Sequence, residues 1–258
     1  MEEPGEVFKI YDGRTTITAK EKEMTIELPM SNGETYRIQP QKIICLGLNY
    51  RAHITESAEI DSERFKDEIP AEPILFPKTQ NTLIGPDQPI VIPAFLDDYG
   101  FRTCRTDFEG ELCAIISKGG KSIAPDEAYD HILGYTCFND VSQRNFQKHD
   151  KSGWFRGKSL DTFGPIGPMV VTHEDIGDPQ NLAIQTRLNG KVVQDANTSL
   201  MIFSIRDTIA FISKHFTLVE GDLIITGTPE GVGPLAPGDV VEVEVEKIGV
   251  LRNPVERR

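Results

Sequence analysis

Glu109 and Glu111 stand two apart in Asp107-Phe108-Glu109-Gly110-Glu111-Leu112, and a third acid, Asp140, lies in the run Gly134-Tyr135-Thr136-Cys137-Phe138-Asn139-Asp140-Val141-Ser142. In an extended strand alternate side chains share a face, so the two glutamates would point the same way. Carboxylates so placed repel unless a cation lies between them. Their hard oxygens suit Mg²⁺ or Mn²⁺, and three of them leave coordination positions open for water or a chelating substrate. The alternative for an isolated pair of strand glutamates is a solvated face.

Other residues could do chemistry beside them. His53 and Glu56 are three apart, so on a helical turn spanning Tyr50 to Glu56 they share a face, as a base with its orienting carboxylate or as an exposed surface pair. Arg144 and Gln147 have the same spacing after Asp140. Arg144 presents a planar fork that either binds a substrate carboxylate or pairs with a structural acid. Thr228, on a glycine-rich turn, offers a hydroxyl and a backbone amide to the same carboxylate. His131, His149, His173 and His215 lack such neighbours and are expected to be structural.

The elements that must position these groups are mainly strands. Residues 1–40 alternate apolar and polar positions around two hairpin signals, Asp12-Gly13 and Asn32-Gly33, and are expected to form a small N-terminal β domain. The catalytic domain is expected over 41–258, opening on the apolar run from Lys42 to Tyr50. Strand signals follow at Ile74–Phe76, Ile90–Ile92, Glu111–Ile116, Met169–Thr172, Leu182–Leu188, Leu223–Thr226 and Val240–Glu246. Helices are expected from Pro125 and over Ile202–His215, and the charged stretch 57–72 is a candidate lid. Without regular βαβ alternation, the fold class is mainly β with peripheral helices, α+β.

The chain has 258 residues and a net charge of -13, which argues against nucleic-acid or anionic-membrane binding. Its acidic start lacks the basic and apolar regions of a secretory signal, and no apolar run spans a bilayer, so a cytoplasmic protein is expected. Cys45, Cys104, Cys113 and Cys137 show no Cys-x-x-Cys spacing and read as buried thiols. Gly157-Lys158-Ser159 mimics the end of a P-loop, but Ser152 stands where its first glycine belongs.

An ordered set of motifs resembles the fumarylacetoacetate hydrolase superfamily, with an acylpyruvate hydrolase-like pattern from about Lys42 to Val255. It comprises Gly47-Leu48-Asn49-Tyr50-Arg51-Ala52-His53, Ile74-Leu75-Phe76-Pro77-Lys78, the two acidic runs, Gly157-Lys158-Ser159-Leu160-Asp161-Thr162-Phe163, and Thr226-Gly227-Thr228-Pro229-Glu230-Gly231-Val232-Gly233. The resemblance implies a mixed β-sandwich roll, usually a homodimer. It also implies that Glu109, Glu111 and Asp140 bind Mg²⁺ or Mn²⁺, that Lys158 sits beside a metal-bound substrate, and that His53 with Glu56 activates water. Lys78 is expected to support the site by ion pairing. Three positions depart from the pattern: Thr79 stands where proline is usual, Gln143 replaces a small residue and Asn145 replaces an acid. The stretch 94–106, with Asp97, Asp98, Arg102 and Arg105, is also longer and more charged than is usual before the first acid, which leaves substrate identity open.

The implied activity is metal-dependent hydrolysis of a C–C bond in an acylpyruvate or related 2,4-dioxo acid. Decarboxylation or isomerisation of a 2-oxo diacid would use the same chelate, as would dehydration of a sugar-derived 2-oxo acid. The alternative of another class is a noncatalytic metal-binding scaffold.

Overall fold

The structure is a computed structural model that describes residues 25–60, 66–151 and 153–258. Its centre is a seven-stranded mixed sheet in the order Ile74–Lys78, Ile43–Gly47, Leu223–Ile225, Gly110–Ile116, Ile132–Asn139, Gly164–Thr172, Leu83–Ile84. A five-stranded sheet, Lys191–Asn197, Ala183–Leu188, Val240–Val245, Gly249–Arg257 and Ile90–Ile92 in that order, packs against one face. The result is the mostly β, curled architecture that the strand signals imply.

The strand Gly110–Ile116 shows how the two cores form. Leu112, Ala114 and Ile116 join one apolar cluster with Ile184, Val243 and the helix residues Ile205, Ile209 and Ile212. Cys113 and Ile115 point to the other cluster, with Cys45, Phe76 and Phe138. A strand covered on both faces needs no polar alternation and reads as a continuous apolar run. On the second face lies the hairpin of Ile26–Pro29 and Thr35–Ile38, whose Ile26, Leu28 and Ile38 pack into that same cluster. Gly33 takes φ 87° in its turn, while the Asp12-Gly13 signal lies outside the described residues.

The helix expected from Ile202 begins at Ile205. Ile202 and Phe203 are held by Asn49, which receives both of their N–H groups at 2.8 Å, and Ser204 caps the helix by accepting the Asp207 N–H at 3.1 Å. The helix expected from Pro125 is only a 3₁₀ segment, Ala128–His131, because the long strand Ile132–Asn139 starts at once. That strand escaped periodicity because it is buried on both faces and its buried positions include Gly134, Thr136 and Asn139, and a Cβ at Gly134 would lie 2.3 Å from the Val171 carbonyl oxygen. In the charged stretch, the helix Arg51–Ile60 accounts for the first part, and Asp67 returns to pair with Arg51 at 2.6 Å. Cys45, Cys113 and Cys137 are buried as expected, but Cys104 is exposed, since its segment lies outside both sheets. Among the described residues no helix is long and apolar enough to cross a membrane.

Candidate active site

Register brings the acids together. Gly110 is paired with Asn139, so Glu109 and Asp140 lie side by side at the ends of adjacent antiparallel strands, and Asp140 donates its N–H to the Glu109 carbonyl at 2.8 Å. Asn139 Oδ1 accepts the Glu109 N–H at 3.0 Å. The continuous strand expected through both glutamates is interrupted: Thr106–Phe108 ends, Glu109 occupies a break, and Gly110–Ile116 begins. The ligand atoms of Glu109, Glu111 and Asp140 nonetheless lie within 4.8 Å of one another, all buried.

Two lysines are threaded among these acids. The Lys158 ammonium donates to Glu109 Oε2 at 2.7 Å and Asp140 Oδ2 at 2.6 Å, while Lys78 reaches Asp140 Oδ1 at 2.7 Å from the sheet edge. Burial works against the charge on Lys158, but Asp140 and Glu109 outweigh it and raise its pKa. Burial would likewise raise Glu109, yet Lys158 and then Arg144 hold it well below the usual carboxylate range. Glu111 goes the other way: burial first, then Asp140 and Glu109, push it well above. Its Oε2 accepts the Gly227 N–H at 2.5 Å, whereas its buried Oε1 has no hydrogen-bond partner. A buried carboxylate oxygen without a partner, in a cluster of three carboxylates, is a donor set that fits a hard divalent cation.

The base pair is also assembled. His53 and Glu56 lie on the helix Arg51–Ile60 with Nδ1 and Oε2 3.0 Å apart, and Glu56 Oε1 accepts the Gly231 N–H at 3.0 Å. The glycine-rich turn therefore spends amides on protein carboxylates, Gly227 on Glu111 and Gly231 on Glu56, rather than on a phosphate. Both glycines have positive φ, 94° and 95°, a conformation that L side chains avoid.

His53, Glu109, Glu111, Lys158 and Thr228 line one cavity of about 170 Å³, together with Arg144 and Gln147. Asp140 and Glu56 stand behind it, in contact with Lys158 and His53. Arg144 binds both Asp107, Nε to Oδ2 at 2.8 Å, and Glu109, Nη1 to Oε1 at 2.7 Å, and donates to Gln147 Oε1 at 3.0 Å. The Thr228 hydroxyl donates to the Gly110 carbonyl at 2.9 Å and accepts from Gln194 at 2.8 Å, so its hydrogen is already used.

Sequence reasoning missed the apolar wall and the buried Asp107. Phe76 and Trp154 meet edge to face at 5.1 Å, and Gly47 is small because a Cβ there would lie 2.6 Å from the Trp154 ring. Trp154 could have been suspected as the lone tryptophan, in a polar run just before Gly157-Lys158. Asp107 carried the same signal as the glutamates, being two residues before Glu109.

Solved structures with this architecture include enzymes. A fumarylpyruvate hydrolase from Pseudomonas aeruginosa, in complex with Mn²⁺ and pyruvate, superposes with a TM-score of 0.79 at 28% identity, over 92% of this chain and 97% of that one. A 2-hydroxyhepta-2,4-diene-1,7-dioate isomerase from Mycobacterium marinum gives a TM-score of 0.73 at 40% identity, over 88% and 82%. The chain belongs to the fumarylacetoacetate hydrolase superfamily: residues 42–256 match the fumarylacetoacetate (FAA) hydrolase C-terminal family. The mitochondrial oxaloacetate tautomerase fahd2 of Xenopus laevis is 42% identical over 224 residues, 84% of this chain and 66% of the relative.

Proposed function

We propose that the protein is a divalent-metal-dependent enzyme that moves a proton at the carbon beside the oxo group of a 2-oxo acid, interconverting keto and enol forms. The observation that carries this reading is His53, backed by Glu56, on the wall of the cavity that Glu109 and Glu111 also line. Glu109, Glu111 and Asp140 would hold Mg²⁺ or Mn²⁺, which when bound supplies a Lewis acid for the oxo and carboxylate oxygens of such a substrate.

The remaining work falls to the chain's own groups. With its proton on Nδ1, donated to Glu56, His53 keeps the Nε2 lone pair as the base. Nε2 takes the proton from the carbon while the C–H electrons shift toward the oxo oxygen, and the same proton is then passed to that oxygen to complete the enol; in the reverse direction it is taken from the enol hydroxyl and returned to the carbon. Gly231 fixes Glu56, and Glu56 fixes the ring. Lys158, kept charged by Asp140 and Glu109, sets a cation beside the site where negative charge develops. Phe76 and Trp154 make part of the wall apolar and limit water there. Support also comes from the 42% and 40% identical relatives, whose names describe tautomerisation and isomerisation.

C–C hydrolysis of an acylpyruvate is the second reading, favoured by the likeness to the fumarylpyruvate hydrolase. There His53 Nε2 would take a proton from water, whose oxygen adds to the distal carbonyl before the C–C bond breaks to an acid and a 2-oxo acid. An isologous homodimer belongs to the same proposal, and sedimentation would test it.

The decay of enol oxaloacetate with Mg²⁺ is the test, with acetylpyruvate cleavage measured in parallel. Wild-type protein accelerates ketonisation, and His53→Ala loses roughly 10²- to 10⁴-fold of that rate. A wild type that leaves the enol at its uncatalysed rate would overturn the reading. Cleavage of acetylpyruvate with no tautomerisation would replace it with hydrolysis.

A further inference from the structure

The strand Lys191–Asn197 is one edge of the five-stranded sheet, and its burial runs against its chemistry. Val192 is 43% exposed, whereas Gln194 is 1% exposed. A bulge produces the inversion. Gln194 pairs with Thr186 and Val192 with Arg187, so Val193 is the extra residue that re-aims the side chain after it. Burying an amide while a neighbouring valine stays in water is favourable only if the amide's hydrogen bonds are made.

Gln194 directs them at the backbone of the acid cluster. Its Oε1 accepts the Gly110 N–H at 3.0 Å, and its Nε2 donates to the Thr228 hydroxyl at 2.8 Å and to the Pro229 carbonyl at 2.9 Å. A backbone N–H can only donate and a carbonyl can only accept, so these partners fix which way the amide points. The Thr228 hydroxyl in turn donates to the Gly110 carbonyl at 2.9 Å, which closes a ring around Gly110. Gly110 stands between Glu109 and Glu111. Its N–H belongs to the peptide plane shared with Glu109 and its carbonyl to the plane shared with Glu111, so the ring holds both planes that join the two glutamates. A Cβ at Gly110 would break it, lying 2.1 Å from Thr186 Oγ1 and 3.2 Å from Gln194 Oε1. The bond to Pro229 extends the hold to the turn whose Gly227 and Gly231 anchor Glu111 and Glu56.

We propose that Gln194 is a positioning residue that sets the relative placement of Glu109 and Glu111 through Gly110 and locks it to the turn carrying the Glu56 anchor; this rests on the reading of the acids as a cation site and of His53 with Glu56 as the base. Gln194 acts through Gly110, Thr228 and Pro229 rather than on the substrate. It makes the edge of the outer sheet part of the site's frame, so that the cation ligands and the base keep one geometry.

The test compares wild type with Gln194→Met, which keeps the side chain's length but removes all three hydrogen bonds, and with Val245→Ala, which opens a cavity at a fully buried position of the same sheet. Mn²⁺ is titrated without substrate where each protein is folded, urea denaturation gives the metal-free stabilities, and kcat and KM for enol oxaloacetate are measured at saturating Mn²⁺. Gln194→Met is expected to weaken Mn²⁺ binding roughly 10- to 100-fold, the usual consequence of losing a group that orients ligands, and to lower kcat more than it raises KM. Val245→Ala loses stability and keeps Mn²⁺ affinity within about twofold of wild type. If Gln194→Met does not fold, Thr228→Val breaks the same ring and is expected to weaken substrate-free Mn²⁺ binding in the same direction. Wild-type Mn²⁺ affinity in the ring variant, or an equal loss in Val245→Ala, would overturn the positioning role and leave the cation site standing. A wild type that binds no Mn²⁺ would overturn both.

Discussion

The Lys158 ammonium lies 2.6 Å from Asp140 Oδ2, and the two side chains are 2% and 0% exposed. An ion pair so far from water is weak evidence for stability, but breaking it by removing one partner is costly, about 3–5 kcal/mol, because the other charge is left buried. Lys158→Met should therefore be strongly destabilised without metal, read by urea denaturation. The uncovered acids should also give Lys158→Met a larger rise in melting temperature on adding Mn²⁺ than wild type shows, because the added cation replaces the missing positive charge. Equal rises would show that the ammonium and the cation do not share these carboxylates.

Glu111 gives effects of opposite sign. Its carboxyl sits above the ordinary value of 4.5, through burial first and then Asp140 and Glu109. A group raised in the folded state stabilises the fold below that ordinary value and loses the contribution as pH climbs through the raised one. Metal-free wild type should lose stability through Glu111 as pH rises from 4.5, and Glu111→Gln should flatten that slope while keeping an acceptor for the Gly227 N–H. The same substitution should weaken Mn²⁺ binding by at least about tenfold, since a ligand matters no less than the groups that orient ligands. Wild-type Mn²⁺ affinity should rise with pH, because binding displaces the Glu111 proton. Denaturation and Mn²⁺ titration at pH 5, 6, 7 and 8 check both signs.

Gly231→Ala tests whether the turn positions the base. Its φ is 95°, and a Cβ would lie 2.0 Å from the Val193 carbonyl oxygen, so the turn must shift and the Glu56 anchor is lost. Gly33→Ala is the control: its φ is 87°, but nothing lies within 4 Å of a Cβ there. Both should lose about 1–3 kcal/mol from backbone strain. Only Gly231→Ala should also lower kcat in the folded protein, measured below its melting temperature.

How much of this was legible in the sequence depends on what each residue reports. The grouping of Glu109, Glu111 and Asp140 could be read because three acids in ordered motifs have few other uses, and that of His53 with Glu56 because helical spacing puts them on one face. The Asp107–Arg144 link could not be, because it depends on Thr106 and Asp107 pairing with Gln143 and Ser142, a register that no local pattern reports. The strand Ile132–Asn139 was hidden for a related reason. Its buried Thr136 and Asn139 are polar, and Asn139 serves the site by receiving the Glu109 N–H. The short segment at Ala128–His131 shows the reverse error, a helical opening cut off by the strand that follows it.

The most direct test of the central claim, that the clustered acids hold a cation which a 2-oxo acid then meets, is Mn²⁺ binding followed by electron paramagnetic resonance with and without oxalate. One tightly bound Mn²⁺ per chain is predicted, with a spectrum that oxalate alters and with binding weakened in Glu109→Gln. Failure of wild type to bind Mn²⁺, or binding that neither Glu109→Gln nor oxalate affects, would contradict it.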